Sequence, residues 1–315
     1  MSKVAITDYN FPNLDIERGI LEPLGHTVVL GQCKTEEELI ELTCDCDQVI
    51  TQFASITEPV IRAMERARVI VRYGIGVDNV DLETAANRGI PVCNVPDYCI
   101  DEVADHTLAM ILALTRRLLP NHRLIAEGDW RLAVPLESMQ ALCRLTVGVI
   151  GFGRIGRAVC ARLRSFGCRL LVHDPVADAG SEAAGLEQVL AESDLVTLHC
   201  PSTAQTRRLI NADAISRMKP GSILVNASRG DLVETTALEE ALAGGQLGGA
   251  GLDVCDPEPI PPGSPLRTLD NVIVSAHVAS ASPAAVLALR EAVASIAALS
   301  ARNQPLPNIV NGVSE

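Results

Sequence analysis

At 315 residues the chain is longer than one ordinary hydrophobic core supports, so two domains are expected. Apolar residues make up 48% and aromatic ones only 3%, so the core must be built from Val, Ile, Leu and Ala, as in parallel sheets buried on both faces. A formal net charge of −13 opposes nucleic acid and anionic membrane as partners, yet permits a small anionic substrate held by a single Arg.

Short β-branched runs alternate with helical stretches almost from the first residue. Strands are expected at 4–7, 27–30, 48–51, 69–72 and, shorter, 91–94, with helices at about 15–24, 35–43, 57–67 and 81–88 between them. This alternation implies βαβ units and a parallel sheet. Residues 99–127 read as one long helical stretch, as two helices, or as an arm that packs on something else, since the length exceeds an ordinary helix. A second alternating series follows, with strands at 146–150, 169–173, 195–199, 223–226, 250–253 and 272–275. Helices fit at about 154–166, 185–191, 211–217, 235–243 and 283–302. Six strands match the count of a complete doubly wound dinucleotide fold. Residues 256–265 hold five prolines and read as a stiff loop.

The start, MSKVAITDYN, shows no basic segment leading into an apolar run, so no signal peptide is expected. The most apolar helical run is placed near 108–115 and ends at Arg116 and Arg117, short of a membrane span. The ten cysteines are scattered, without a CxxC pair, and read as reduced thiols of a cytoplasmic protein.

The string LTVGVIGFGRIGRAVCARLRSFG sets GFGRIG, residues 151–156, after a hydrophobic strand and at the mouth of a helix. Gly151 permits a tight turn, Gly153 lets backbone approach a pyrophosphate, and Gly156 lets helix pack on sheet. The helix N-terminus offers free N–H groups to phosphate. Asp174 ends the next strand, eighteen residues after Gly156, where an acid can bind ribose hydroxyls. No Arg or Lys stands between Asp174 and Arg207 to welcome a 2′-phosphate, so NAD is the expected cofactor.

Hydride transfer to a 2-oxo acid needs a cation for the carboxylate and an acid for the new alkoxide. That acid in turn needs a carboxylate that favours its protonated form. Arg229 in ILVNASRGDLV, Glu258 in GLDVCDPEP and His277 in NVIVSAHVAS supply these types. Each lies just past the C-terminal end of an expected parallel strand, where doubly wound sheets bind ligands. Singly, each has a structural explanation: a capping Arg, a solvated Glu, a core His. His199 beside Cys200 suggests a metal, but no further ligands follow at workable spacing and none is expected.

The motifs RYGIGVDNVD (72–81), GFGRIG (151–156), LVNASRGDLV (224–233), GAGLDVCDPEP (249–259) and SAHVAS (275–280) together resemble the D-isomer-specific 2-hydroxyacid dehydrogenase family over nearly the whole chain. The resemblance implies substrate carboxylate on Arg229 and on backbone N–H groups around Gly76 and Val77. It implies His277 as acid/base with Glu258 as partner, and Asp253 holding the nicotinamide carboxamide. Further cofactor contacts are implied for Thr107, Arg154, Ile155, Cys200, Pro201, Thr206, Ala227 and Ser228. The implied fold is α/β with two doubly wound domains. A Rossmann NAD domain at 100–284 is inserted into a flavodoxin-like substrate domain of 1–99 plus 285–315, and the active site lies in a cleft that closes on its ligands. The 99–127 stretch resembles the arm through which such enzymes form homodimers.

Two departures stand out. Ala276 precedes His277 where the family often has Pro, and Ser280 or Ser282 takes the place of a following Thr. The stretch VPDYCIDEVADHTLAMILALTRR resembles the branch holding C-terminal-binding proteins, which offers an NAD(H)-sensing binding protein as the alternative reading. Formate oxidation is a second alternative, opposed by Glu258, since formate forms no alkoxide. Substrate identity is not legible; side chains near Gln52, Phe53 and Tyr73 are expected to line the pocket. His106 is a candidate for the cofactor side.

Overall fold

The computed structural model describes residues 2–313, which divide into two units, one running to Tyr98 and resuming at Ser282, the other Cys99–Ala281. In the first, β1 (Lys3–Ile6), β2 (Thr27–Leu30), β3 (Gln48–Thr51), β4 (Val69–Arg72) and β5 (Val92–Cys93) form one parallel sheet. The order β2-β1-β3-β4-β5 is that of flavodoxin-like sheets. Both faces are covered, so inward residues occur at successive positions: Ile50 and Val71 enter one core cluster, Val49 and Ile70 the other.

Helices α1 (Asp15–Leu21), α2 (Glu36–Thr43), α3 (Glu58–Ala63) and α4 (Leu82–Asn87) connect these strands. Helix α2 starts on a capping box in which Thr35 and Glu38 satisfy each other's backbone N–H. Helix α3 stops several residues before the expected end at 67. The reason is tertiary: the Arg88 guanidinium takes the carbonyls of Ile61, Arg62 and Met64 at 2.7, 2.7 and 2.9 Å.

The second unit opens with α5 (Ile100–Thr115) and α6 (Leu118–Ala126), so the long helical stretch is two helices. Arg117 adopts a left-handed φ of 52° at the break, and its Nη1 donates to the Gly248 carbonyl at 2.9 Å. Strands β6 (Thr146–Ile150), β7 (Arg169–His173), β8 (Leu195–Leu198), β9 (Ser222–Asn226), β10 (Leu247–Leu252) and β11 (Val272–Val274) form the second parallel sheet. Helices α7 (Arg154–Ser165), α8 (Leu186–Glu192), α9 (Ala212–Arg217) and α10 (Thr235–Ala243) cover it, together with α5.

The order is β11-β10-β9-β8-β6-β7. Six strands are present as expected, but they are not the six of the Rossmann order 3-2-1-4-5-6. The third position, outside β7, holds only an isolated parallel bridge between Val172 and Ala183. The segment PVADAGSEAAG there has a single β-branched residue and three positions of Gly or Pro, too little to sustain a strand. Strand β11 brings the count to six. The topology reverses between β6 and β8, which puts a ligand crevice beyond their C-terminal ends.

The chain then returns to the first unit as α11 (Pro283–Ala301), capped by the Ser282 hydroxyl. By length and composition this helix, not the 108–115 run, is the one apolar enough to cross a membrane among the described residues. Its Leu289, Val293, Ala294 and Ile296 instead belong to the core of the unit. Arg290 on the same helix is 5% exposed and ion-pairs with the buried Glu17 at 2.7 Å.

Candidate active site

The glycine loop is built at the reversal point. Gly151 has φ of 99°, and a Cβ there would lie 2.5 Å from the Cys200 nitrogen, so only glycine fits the turn between β6 and the chain leaving β8. A Cβ on Gly156 would meet the Gly151 carbonyl oxygen at 2.1 Å, which is the close helix-to-strand packing expected of it. Gly153, the N-cap of α7, has nothing within 4 Å of its Cβ position and provides no side-chain cap. Open space in front of an uncapped N-terminus of a twelve-residue helix fits a pyrophosphate. Arg154 is exposed and Ile155 half-buried beside it.

Asp174 braces this loop. One carboxylate oxygen accepts from the Phe152 N–H at 2.7 Å, the other from Val176 and Ala177 at 2.9 and 2.7 Å. Burial pushes its pKa up, but the N–H donors of Ala177, Phe152 and Val176 outweigh that and hold it below the ordinary carboxylate value. The opposite wall comes from the segment after β8. Thr206 donates to the Pro201 carbonyl at 2.6 Å and accepts the Thr203 N–H, closing a turn there. Burial pushes the Cys200 thiol up to about 11, so it packs as a neutral group. The Ser228 hydroxyl donates to the Cys200 carbonyl at 2.6 Å, tying the segment after β9, with Ala227, to this wall.

Arg229, Glu258 and His277 follow β9, β10 and β11, three neighbouring strands, so the sheet gathers them at one edge. The loops bearing Arg229 and Glu258 touch: a Cβ on Gly230 would lie 2.0 Å from the Cys255 carbonyl oxygen. Arg229 is half-buried, with Nη1 donating to the Ser228 carbonyl at 2.8 Å. His277 Nδ1 lies 2.8 Å from Glu258 Oε1. An ionised carboxylate only accepts, so the proton on this contact sits on Nδ1. Nε2 takes no part in this contact. The His277 backbone is left-handed, with φ of 53°.

Asp253, expected to hold the nicotinamide carboxamide, is anchored to its neighbours. It is 2% exposed, and its carboxylate accepts from the Ser275 hydroxyl at 2.6 Å and from the Val278 and Ala279 N–H groups at 2.9 Å each. The structure commits it to the loop that carries His277. Thr107 is fully buried and donates its hydroxyl to the Val103 carbonyl at 2.8 Å, so it is not brought to the surface of the site. Among the described residues, no group of three His, Cys, Asp or Glu is placed to hold a metal.

In the first unit, Gly76 and Val77 lie half-buried in the turn beyond β4. Val95 N–H pins the Gly74 carbonyl at 3.0 Å and the Asn94 amide pins that of Ile75 at 2.6 Å, which orders this turn. Tyr73 does not line a pocket: it is 2% exposed, in the core, with its hydroxyl donating to Glu17 at 3.0 Å. Strand β4 turns it inward because alternate residues share a face. Phe53 is exposed, and Gln52 is buried against Asn10. Sequence reasoning missed Asp8, whose carboxylate accepts the N–H groups of Gln52, Phe53 and Ala54 at 2.6–3.2 Å. The available signal was an acid just past the first strand of a doubly wound unit.

Fold and site together define an oxidoreductase built around a dinucleotide loop and a His–Glu pair. Residues 108–279 match the NAD-binding domain model of the D-isomer specific 2-hydroxyacid dehydrogenases. Glyoxylate reductase of Korarchaeum cryptofilum is 38% identical over 286 residues, 88% of this chain and 86% of the relative. D-lactate dehydrogenase from Aquifex aeolicus, solved with NAD and lactic acid, superposes with a TM-score of 0.86 at 29% identity, covering 99% of this chain and 100% of that one. An NADPH-dependent glyoxylate/hydroxypyruvate reductase from Sinorhizobium meliloti, solved with NADP and malonate, gives 0.89 at 29% identity, covering 99% and 97%. The chain belongs to the D-isomer specific 2-hydroxyacid dehydrogenase family. It is an oxidoreductase acting on CH–OH donors, with NAD as its dinucleotide, and the NAD-sensing alternative is not favoured.

Proposed function

We propose that this dehydrogenase interconverts glyoxylate and other short 2-oxo acids with their 2-hydroxy acids. The observation that carries the reading is the 2.8 Å contact of His277 Nδ1 with Glu258, on loops beside the Arg229 loop. The glyoxylate reductase relative supports the choice of a short substrate.

Bound NADH supplies the hydride. Arg229 pairs with the substrate carboxylate through its planar fork of donors, and the backbone N–H groups of Gly76 and Val77 are assigned to substrate binding. In reduction, His277 Nε2 gives its proton to the oxygen that becomes the alcohol, and in oxidation it takes one back. Glu258 holds Nδ1–H and so orients the ring in both directions. Gly151, Gly153, Gly156, Arg154 and Ile155 are assigned to the pyrophosphate and Asp174 to the adenosine ribose. Cys200, Pro201, Thr206, Ala227 and Ser228 are assigned to the wall along the dinucleotide. The test is NADH oxidation against glyoxylate, hydroxypyruvate, pyruvate, phenylpyruvate and branched 2-oxo acids. Glyoxylate or hydroxypyruvate is expected to give the highest kcat/KM; highest turnover on phenylpyruvate overturns the short-substrate assignment.

The protein is assigned to the cytoplasm, in keeping with ten cysteines that are all free thiols. A homodimer is proposed through α6 and the segment after it. No residue of α6 is buried, and Leu118, Ile125, Trp130 and Leu136 expose apolar surface there. Light scattering after gel filtration checks this; a monomer at micromolar concentration refutes it. With a net charge of −13, neither nucleic acid nor membrane is assigned as a partner.

A further inference from the structure

We propose that His106 is a positioning residue for the acid/base loop, acting through Ser275 and Asp253 on the backbone that carries His277. The inference rests on the assignment of His277 as acid/base.

His106 stands on α5, 169 residues before Ser275, with its Nε2 3.0 Å from the Ser275 hydroxyl oxygen. That hydroxyl lies 2.6 Å from Asp253 Oδ1. A serine hydroxyl has one proton and an ionised carboxylate has none, so the proton on the shorter contact goes to Asp253. The Ser275 oxygen must then accept, and His106 Nε2 must carry the hydrogen it donates. The direction of the chain is set: His106 to Ser275 to Asp253. His106 Nε2 also comes within 3.7 Å of Asp253 Oδ1.

Asp253 is where this chain meets the reacting group. Its carbonyl accepts the His277 N–H at 2.8 Å, and its carboxylate accepts the next two, from Val278 and Ala279. Three consecutive N–H groups are thus drawn onto one buried residue. They hold His277 in a left-handed conformation that a non-glycine residue adopts only at a cost. Ala276 adds nothing to this restraint, since it has no ring to fix its own φ. Ordering of the loop therefore falls to hydrogen bonds, and His106 is the outermost donor in the chain. Removing it frees the Ser275 hydroxyl to turn and loosens Asp253, while the glycine loop is untouched.

The experiment compares wild type with His106→Leu, His106→Asn, His106→Gln and His277→Ala, using NADH and glyoxylate. His106→Leu is expected to lower kcat by about 10- to 100-fold, the scale of a roughly 1 Å misplacement of a reacting group. NADH affinity, read by fluorescence, should stay within about 2-fold, because the loss lies in the transition state. The primary isotope effect with NADH deuterated at the transferred position should rise as the chemical step becomes limiting. His106→Gln, whose amide reaches Ser275, should recover most of kcat, whereas the shorter His106→Asn should not. Equal kcat and isotope effects in the Gln and Asn variants overturn the proposal even if the Leu variant fails to fold. Wild-type kcat in His106→Leu also overturns it. An active His277→Ala variant instead overturns the acid/base assignment, and that outcome is read separately.

Discussion

Gly230→Ala is the substitution with the most direct structural consequence for catalysis. The new methyl would lie 2.0 Å from the Cys255 carbonyl oxygen and 2.1 Å from its carbon, both backbone atoms that no rotamer change can move aside. Ordinary contact begins near 3.4 Å, so the loop after β9 and the loop after β10 must part by about 1.4 Å. These loops carry Arg229 and Glu258. A displacement of about 1 Å at a reacting constellation lowers kcat/KM by roughly 100-fold. Overpacking of this kind destabilises by about 1–3 kcal/mol, which for a domain of this size lowers Tm by roughly 2–4 °C per kcal/mol. The assay is glyoxylate reduction followed by NADH absorbance, with Tm by scanning fluorimetry and NADH affinity by quenching. Affinity for NADH should fall less than kcat/KM, because the glycine loop follows β6, away from the displaced loops. A Gly230→Ala enzyme with near wild-type kcat/KM and unchanged Tm would refute the claim that contact between these loops sets the site.

Gly153→Ala should behave in the opposite way: nothing lies within 4 Å of the new methyl, so Tm is kept, while NADH affinity falls because the methyl fills the space assigned to pyrophosphate. Loss of Tm with normal affinity would contradict that. Arg229→Lys should lower kcat/KM by about 10- to 100-fold through loss of the bidentate contact, with NADH affinity retained; steady-state kinetics decide it. Asp174→Ala should weaken NADH binding and narrow the preference over NADPH, and equal or better wild-type turnover with NADPH would sink the assignment. Asp174 also carries a pH signature. Its folded pKa is lowered, so its contribution to stability is present above the unfolded value of about 3.9 and is lost as pH falls through the folded one. The Tm gap between wild type and Asp174→Asn should therefore narrow from pH 7 to pH 3, and a constant gap would argue against it.

Much of this protein could be read from local pattern. The βαβ alternation, the GFGRIG turn and the placement of Arg229, Glu258 and His277 beyond strand ends each depend on residues close together in the chain. Strand periodicity, glycine geometry and helix capping act over a few residues, so they leave a local trace. Other features depended on distant partners. The end of α3 is set by Arg88, and the Tyr73 hydroxyl finds its acceptor in Glu17, 56 residues earlier. The missing third strand shows the limit of counting elements without pairing them: all six runs, β11 among them, were visible, but only pairing revealed that they do not follow the Rossmann order and that the strand outside β7 is reduced to one bridge. Asp253 is the clearest case. Its place in the motif was legible, but its burial and its bonds to Ser275, Val278 and Ala279 exist only once β10 and β11 lie side by side. Local sequence thus determined which chemistry the chain can perform. The tertiary structure decided which side chains hold the reacting groups in place, because a hydrogen bond between residues far apart in the chain depends on distance in space and leaves no signature in sequence spacing.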